Sequence, residues 1–154
     1  MDIKDEGVGK LFTDPDPDKA RAVFREKNRK MENKLMPLKD AVAQFAKDGE
    51  YLVIGGFGAN RTPIAACHEL IRQKRKKMAF AGHTSTHDFQ VLSAGKVFNK
   101  VDAAYVVGLE ARGLSKVSRA YMESGEVEVT EWTNYALAAR FKAAAMGVSF
   151  VPVR

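Results

Sequence analysis

The residues of this sequence best suited to chemistry lie in the stretch 48–63, DGEYLVIGGFGANRTP. Its apolar run from Tyr51 to Ile54 is short, β-branched at the end and closed by glycines, which predicts a buried strand. Further on, Thr62 and Pro63 predict a helix start, with Thr62 as the N-cap and proline as the first helical residue. A strand, a glycine-rich turn and a helix N-terminus together present unpaired backbone N–H groups to a ligand. In open α/β sheets, ligands bind at this carboxyl end of the strands.

The glycines are not spaced as in the common nucleotide-binding loops. The stretch contains neither G-x-G-x-x-G nor G-x-x-x-x-G-K-[ST], so it predicts neither a dinucleotide fold nor a P-loop. Taken alone, the glycines fit equally well an ordinary βα turn in which they only permit positive φ. The wider pattern is more specific, because it combines Asp-Gly, three apolar positions, Gly-Gly-Phe and a proline six residues after the phenylalanine.

This wider pattern resembles the signature of the A (alpha) subunits of family I coenzyme A transferases. The matching residues are Asp48, Gly49, Leu52, Val53, Ile54, Gly55, Gly56, Phe57 and Pro63. Residues 113–119 and 147–153 also look like this subunit, so the resemblance extends from about residue 35 to the end. Many members carry glycine where this chain has Arg61. Arginine there resembles the glutaconate CoA-transferase type and its ring-opening CoA-hydrolase relatives, which act on dicarboxylic or bulky acyl groups.

The resemblance implies a ping-pong transfer of coenzyme A between acyl groups, with acyl-CoA and a carboxylic acid as substrates and no metal. In two-subunit members, the thioester is attacked by a glutamate of the B (beta) subunit, which then carries CoA as a glutamyl thioester. Here Glu110, Glu123 and Glu131 each lack the Asn-Gly that follows that glutamate. We therefore expect no catalytic residue on this chain and a hetero-oligomer with a B subunit that carries the glutamate.

The candidate binding residues lie in two turns that we expect at the carboxyl edge of the sheet. The backbone amides of residues 56–60 could stabilise the oxyanion of each tetrahedral intermediate, and Arg61 could pair with a substrate carboxylate through two hydrogen bonds. A polar turn, residues 83–87, follows the second predicted strand and should neighbour the first turn. The predicted substrate- and CoA-binding residues are Gly55, Gly56, Phe57, Gly58, Ala59, Asn60, Arg61, His83, Thr84, Ser85 and His87. Ser118 and Arg119 are weaker candidates, because a helix surface explains them equally well.

Other reactive side chains have simpler explanations. Cys67 and His68 are adjacent on a predicted helix, so they point about 100° apart and cannot form a nucleophile–base pair. A small buried side chain is the default reading of such a cysteine. His83 and His87 have the spacing of two metal ligands, but no third ligand is evident and no metal is predicted. The basic residues at 72 and 74–77 end a helix, where cations complement the dipole; contact with the phosphates of CoA is the alternative.

Composition excludes several classes of protein. The 154 residues, 45% of them hydrophobic, suit one domain with a sizeable core. The net charge of +6 does not favour nucleic-acid binding, because the basic run at 25–30 lacks interleaved aromatics and has acidic neighbours. There is no long apolar run and no signal-peptide core, so we expect no membrane span and a cytoplasmic location. The single cysteine excludes an internal disulfide, which agrees with a reducing compartment.

The predicted elements alternate between helix and strand. Helices are predicted at residues 18–34, 37–47, 63–77, 88–94, 115–124 and 134–146, and strands at 51–54, 78–82, 103–107, 127–129 and 149–153. This alternation predicts right-handed βαβ crossovers. The expected fold class is therefore α/β, an open and mostly parallel sheet with helices on both faces.

We expect two segments, a polar N-terminal arm with a helix (1–34) and a CoA-transferase A-subunit-like α/β domain (35–154) that resembles the N-terminal half of that subunit. Family A subunits are about twice as long as this chain, so the sequence predicts a fragment, a truncated product or half of a split subunit. Three functions stay open at this point. They are the A subunit of a CoA-transferase, a component of a CoA-thioester hydrolase of the same fold, and an inactive binding or scaffold domain.

Overall fold

The structure, a computed structural model, describes residues 17–106, 113 and 115–153. Within these residues the elements follow in the order α1 (Pro17–Glu26), α2 (Leu38–Phe45), β1 (Tyr51–Val53), α3 (Ile64–Arg72), β2 (Met78–Gly82), α4 (His87–Ala94), β3 (Phe98–Ala103), α5 (Lys116–Glu123), β4 (Glu128–Glu131) and α6 (Asn134–Met146). None of these helices is long and apolar enough to cross a membrane. The predicted arm up to residue 16 and Glu110 lie outside the described residues.

The four strands form one parallel sheet in the order β1-β2-β3-β4. Because each strand pairs with the next one along the chain, every connection is a crossover, and right-handed crossovers place α3, α4 and α5 on the same face. Consistent with this, α4 contacts both α3 and α5, and α2 contacts α3. The predicted α/β class with a parallel sheet is confirmed.

The core between this face and the helices is built around aromatic rings. Phe80, Phe89 and Phe98 are fully buried and stack on one another with ring centroids 5.5–6.0 Å apart. Tyr121 of α5 tilts against Phe98 at 5.5 Å and donates its hydroxyl to the backbone carbonyl of that residue. These contacts pack α4 and α5 on β2 and β3.

The other face of the sheet carries a buried polar cluster. Asp102 of β3 has no exposed surface, and it accepts hydrogen bonds from Tyr51 Oη at 2.5 Å and from Trp132 Nε1 at 2.8 Å. Tyr51 belongs to β1, so its ring spans β2, which presents the small residues Ala79 and Ala81 on that side. The cluster therefore joins β1, β3 and the segment after β4.

Two strand predictions are wrong. The third strand was expected at residues 103–107, but β3 is Phe98–Ala103 and the chain bends after it; Val107 lies outside the described residues. The charged residues Lys100 and Asp102 kept this segment from being predicted as a strand. A charged residue argues against a buried strand unless a partner such as Tyr51 satisfies its charge. The expected strand at 149–153 is absent from the described residues, which have no regular structure there.

The helices differ from the prediction mainly at their ends. Thr62 is not the N-cap of α3: Pro63 holds that position, and its carbonyl accepts the amides of Ala66 and Cys67. The same helix ends at Arg72 instead of 77, because Lys74 adopts φ 57° and the amide of Arg75 closes on the carbonyl of residue 70. The helix predicted at 18–34 is shorter, ending at Glu26.

Helix α2 buries few of its apolar side chains. Within it only Val42 is buried, and Phe45 is 64% exposed. The helix packs on α3, and Val42 is the side chain that reaches the core. In contrast, α6 has the predicted bounds, and Gly147 follows it with φ 67°.

The chain divides into two compact units. One unit extends from Glu32 to Ala138 and contains the whole sheet. The other unit combines the described residues up to Met31 with those from Ala139 onward. The boundary expected between residues 34 and 35 stays a prediction.

Candidate functional site

The glycine turn, defined here as residues 55–61, begins after Ile54, the buried residue that follows β1, and folds into a tight loop. The amide of Phe57 donates to the carbonyl of Asn60 at 3.0 Å, and the amide of Asn60 returns a bond to the carbonyl of Phe57 at 2.9 Å. Gly58 sits at the tip with φ 55°, a conformation that costs glycine little. The Phe57 side chain is 64% exposed and those of Ala59, Asn60 and Arg61 are also exposed, so the turn faces outward.

The base of the glycine turn depends on Gly56. This residue has φ 139°, and a β-carbon added to it would lie 2.9 Å from the carbonyl oxygen of Arg61. A side chain at this position would therefore strain the backbone and push the two ends of the turn apart. Gly55, by contrast, has nothing within 4 Å of such a β-carbon.

The structure brings the polar turn (residues 83–86) directly against the glycine turn. The amide of Gly58 donates to the carbonyl of Thr84 at 3.3 Å, and Thr86 Oγ1 donates to the carbonyl of Gly58 at 2.5 Å. On the other side, the amide of Ser85 donates to the carbonyl of Tyr105 at 2.9 Å. Parallel bridges from Gly58 to Ser85 and on to residue 106 thus continue the sheet beyond its strands. Both turns lie at the carboxyl edge.

The backbone amides of the glycine turn are not all available to a ligand. Of the amides of residues 56–60, those of Phe57, Gly58 and Asn60 bond to backbone carbonyls. The loop uses these three donors for its own closure and for the polar turn, and the role of this turn in binding an oxyanion stays a prediction. The amides of Gly56 and Ala59 donate no hydrogen bond within the described part of the chain. They are the donors that an oxyanion could use.

Ser85 differs from the other predicted binding residues because it is buried. It is 2% exposed, and its hydroxyl donates to Asp88 Oδ2 at 3.0 Å, so the side chain points inward. His83, Thr84 and His87 are half-buried. The imidazole Nδ1 of His83 lies 3.2 Å from Thr84 Oγ1. Direct contact of the Ser85 side chain with a substrate is therefore not supported, whereas the other three retain exposed surface.

Sequence reasoning missed Asp88. Its carboxylate is 1% exposed and accepts two hydrogen bonds, from the hydroxyl of Ser85 and from the amide of Thr86 at 2.9 Å. The signal was present, because serine followed three residues later by an acidic residue ahead of a helix is a capping pattern. Asp88 accepts the amide of Thr86, the N-cap residue of α4, whereas the Thr86 side chain makes no capping bond to the first amides of the helix.

The weaker candidates on α5 have structural partners. Ser118 is buried, and Ser115 caps the helix by accepting the Ser118 amide at 3.3 Å. Arg119 is exposed and pairs with Glu123 at 2.8 Å. These contacts explain Ser118 and Arg119 as structural residues of the helix. The ion pair with Arg119 gives Glu123 a structural partner as well.

Cys67 is a core residue. It has no exposed surface, and burial, followed by the charge of Asp88, raises the pKa of Cys67 to about 12. A thiolate nucleophile needs a lowered pKa and access, so this environment is that of an inert thiol. Among the described residues, no three His, Cys, Asp or Glu side chains form a group that could hold a metal ion.

The basic residues after α3 lie at the opposite edge of the sheet from the two turns. They precede β2, whereas His83 follows it, and five residues at about 3.3 Å each separate the two ends by roughly 15 Å. Asp48 belongs to that far edge too, because its Oδ1 accepts the amide of Lys76 at 3.0 Å. The first acidic residue of the signature stretch therefore anchors a turn and does not face the candidate site.

Comparison with known proteins gives one family. Residues 35–154 match the family model described as Coenzyme A transferase. A protein of uncharacterized function from Archaeoglobus fulgidus is 49% identical over 156 residues, covering all of this chain and 35% of that protein. The A subunit of glutaconate CoA-transferase from Acidaminococcus fermentans is 27% identical over 121 residues, covering 79% of this chain and 38% of that relative.

Solved structures give the same result. The crystal structure of glutaconate coenzyme A-transferase from Acidaminococcus fermentans matches with a TM-score of 0.73 and 27% identity, over 79% of this chain and 38% of that one. A cysteine-to-serine variant of the decarboxylase AibA/AibB matches with a TM-score of 0.70 and 29% identity, over 76% of this chain and 45% of that one. The chain thus spans less than half the length of the relatives it matches.

Proposed function

The chain belongs to the coenzyme A transferase family, and from this premise we propose that it acts as the non-nucleophilic A subunit of a heteromeric CoA-transferase. One observation carries the proposal: an exposed glycine turn is tied to a second polar turn at the carboxyl edge of a parallel sheet. That edge is where α/β proteins bind ligands. The relative named as the A subunit of glutaconate CoA-transferase supports the choice between the two kinds of subunit.

In the proposed reaction, the thioester carbonyl is attacked by a glutamate of the partner B subunit. The C–S bond breaks, CoA leaves as a thiolate and an acyl-glutamyl anhydride forms. The thiolate then attacks the glutamyl carbonyl and releases the first acid as a carboxylate, which leaves a glutamyl-CoA thioester. A second carboxylic acid reverses these steps and takes the CoA. Covalent catalysis of this kind divides one difficult transfer into easier ones.

This chain supplies the wall of the shared site. Each tetrahedral intermediate carries an oxyanion, and the unengaged amides of Gly56 and Ala59 are its proposed donors. The loss of one such donor typically costs about 3 kcal/mol of transition-state stabilisation. The exposed guanidinium of Arg61 is the proposed partner for the second carboxylate of a dicarboxylic acyl group. His83 and Thr84 of the polar turn, and His87 at the start of α4, are proposed as further contacts.

The test incubates glutaryl-CoA and acetate with the chain purified together with its partner. We expect acetyl-CoA to form, and a CoA adduct on a glutamate of the partner that mass spectrometry locates after quenching. An adduct on a glutamate of this chain would contradict its assignment as the non-nucleophilic component. Release of free CoA without an acceptor acid would favour the thioester hydrolase, and release of CO₂ would favour a reaction like that of the decarboxylase neighbour. A chain that binds no CoA ester and no partner would favour the scaffold domain.

A further inference from the structure

A buried carboxylate lies beneath the contact between the glycine turn and the polar turn. Asp88 is 1% exposed, and each of its two oxygens accepts a separate hydrogen bond, from the hydroxyl of Ser85 and from the amide of Thr86. Both donors are themselves nearly buried. A buried charge is tolerated only when such bonds satisfy it, so these contacts are tightly specified.

The two residues held by Asp88 are those that join the neighbouring segments. Thr86 donates its hydroxyl to the carbonyl of Gly58, at the tip of the glycine turn. Ser85 donates its amide to the carbonyl of Tyr105, in the segment after β3. The charge of Asp88 also reaches α3, where it contributes to the raised pKa of Cys67. One carboxylate therefore stands at the junction of three segments that follow three neighbouring strands.

We propose that Asp88 is a positioning residue that holds the polar turn, and through Thr86 the glycine turn, in the geometry of the candidate site. The cluster of Ser85, Thr86 and Asp88 is called the latch below. It touches no substrate and acts by fixing Gly58. The free amides of Gly56 and Ala59 flank that residue, so their direction depends on the latch. The consequence for catalysis rests on the proposed function, whereas the mechanical role does not.

Two substitutions separate the charge of Asp88 from its geometry. Asp88→Ala leaves the Ser85 hydroxyl and the Thr86 amide unsatisfied in a buried site, which loosens both turns. Asp88→Asn keeps one oxygen for the Thr86 amide and places an NH₂ group that can donate to Ser85 Oγ. The asparagine variant should therefore rescue the geometry that the alanine variant loses.

Ser93→Ala is the matched control. Ser93 lies on the same helix, is 2% exposed and donates its hydroxyl to the carbonyl of Phe89, away from both turns. Its loss lowers global stability without releasing the latch. Thr86→Val serves if Asp88→Ala fails to fold, because it removes only the bond to Gly58 and leaves the Thr86 amide on Asp88.

The first experiment measures amide hydrogen exchange in the chain alone. We expect Asp88→Ala to speed exchange at Gly58 and Ser85 by about tenfold to hundredfold, at a urea concentration where its global stability equals that of Ser93→Ala. The amide of Met78, which bonds to Val97 at the far edge, should exchange equally in both. Thr86→Val should speed exchange at Gly58 alone. Equal exchange at Gly58 in Asp88→Ala and Ser93→Ala, or no rescue by asparagine, would overturn the proposal.

The second experiment measures kcat/KM of the subunit pair with glutaryl-CoA. Asp88→Ala should lower kcat/KM at least about tenfold, mainly through kcat, because oxyanion donors act in the transition state. The kcat/KM of the asparagine variant should stay within about threefold of that of the unsubstituted pair. The kcat/KM of Ser93→Ala should equal that of the unsubstituted pair. If the unsubstituted pair transfers no CoA, the proposed function fails, while the exchange result still decides the latch. Full activity in Asp88→Ala would overturn the catalytic consequence.

Discussion

At the base of the glycine turn, the α-carbon of Gly56 lies against the carbonyl group of Arg61. Arg61 itself adopts φ 57°, a left-handed conformation that costs a residue with a side chain about 1–2 kcal/mol. Glycine would fit this position with less strain.

The first prediction concerns Gly56→Ala. The new β-carbon would meet the Arg61 carbonyl at 2.9 Å in a backbone with φ 139°, so we expect a loss of about 1–3 kcal/mol in the free energy of unfolding. Urea denaturation measures it. Gly55→Ala is the control, since nothing lies within 4 Å of its β-carbon, and its effect should stay within about 0.5 kcal/mol. Equal effects of the two substitutions would show that the glycine turn does not need its observed closure.

The second prediction rests on the proposed function and concerns Arg61→Met in the proposed pair of this chain with a B subunit. Glutaryl-CoA and valeryl-CoA have acyl chains of equal length and differ in the terminal carboxylate, so only the first should lose a charge-assisted contact. We expect the KM for glutaryl-CoA to rise about tenfold to hundredfold, with little change for valeryl-CoA.

Lys74→Met is the control for that experiment. Lys74 shares the left-handed φ of 57° and an exposed basic side chain, but it lies at the other edge of the sheet. Its substitution should leave both KM values unchanged. A similar rise for both esters with Arg61→Met would argue against recognition of a carboxylate by Arg61.

At the scale of elements, Asp102 explains how β3 can be buried despite its polar sequence. The carboxylate accepts one hydrogen bond from the phenol of Tyr51 on β1 and another from the indole of Trp132 after β4. The alanines of β2 leave room for the Tyr51 ring. The strand is thus defined by long-range partners that no local pattern contains. Asp102 also gives the sheet a polar tie across three strands.

The third prediction tests this tie with Tyr51→Phe. Removing the hydroxyl deprives a buried carboxylate of a donor, so we expect the free energy of unfolding to fall by about 1–3 kcal/mol. Tyr135→Phe, on a side chain that is 68% exposed, should change it by less than about 0.5 kcal/mol. In a double-mutant cycle, Tyr51→Phe and Asp102→Asn should couple; additive effects would contradict the tie.

The sequence predicted those elements whose signals are local. The bounds of β2 and α6 are as expected, because an apolar run bounded by basic residues and glycine, or an alanine-rich run ending at Gly147, carries its own limits. The neighbourhood of the two turns could also be reasoned out from parallel topology. What could not be reasoned out depends on partners distant in sequence: the polar strand around Asp102, and the burial of Ser85 on Asp88. The sequence also could not predict which amides the glycine turn uses for its own closure.

At the scale of the whole molecule, burial between the parallel sheet and its helix layer raises the pKa of a thiol and of a phenol. The pKa of Cys67 rises from 9.0 to about 12, first through burial and then through the charge of Asp88. The pKa of Tyr121 is also raised, chiefly by burial and next by Glu126. Above about pH 9 the unfolded chain releases the Cys67 proton while the folded chain keeps it. Stability should therefore be intact below pH 9 and decline as pH rises towards 12.

The fourth prediction follows from this difference in protonation. One proton corresponds to a slope of about 1.4 kcal/mol per pH unit, so between about pH 9 and pH 10.5 Cys67 should cost the fold about 2 kcal/mol. The comparison between variants removes the contributions of all other groups, so the measurement is the difference between variants in urea denaturation at about pH 8 and pH 10.5. Cys67→Ala should lose less stability over that interval than the unsubstituted chain, although it starts lower because of the cavity it leaves.

Ser93→Ala, which removes a buried group that does not titrate, should keep the full slope. If Cys67→Ala and Ser93→Ala decline in parallel with the unsubstituted chain, the thiol is not shielded in the core as the structure places it.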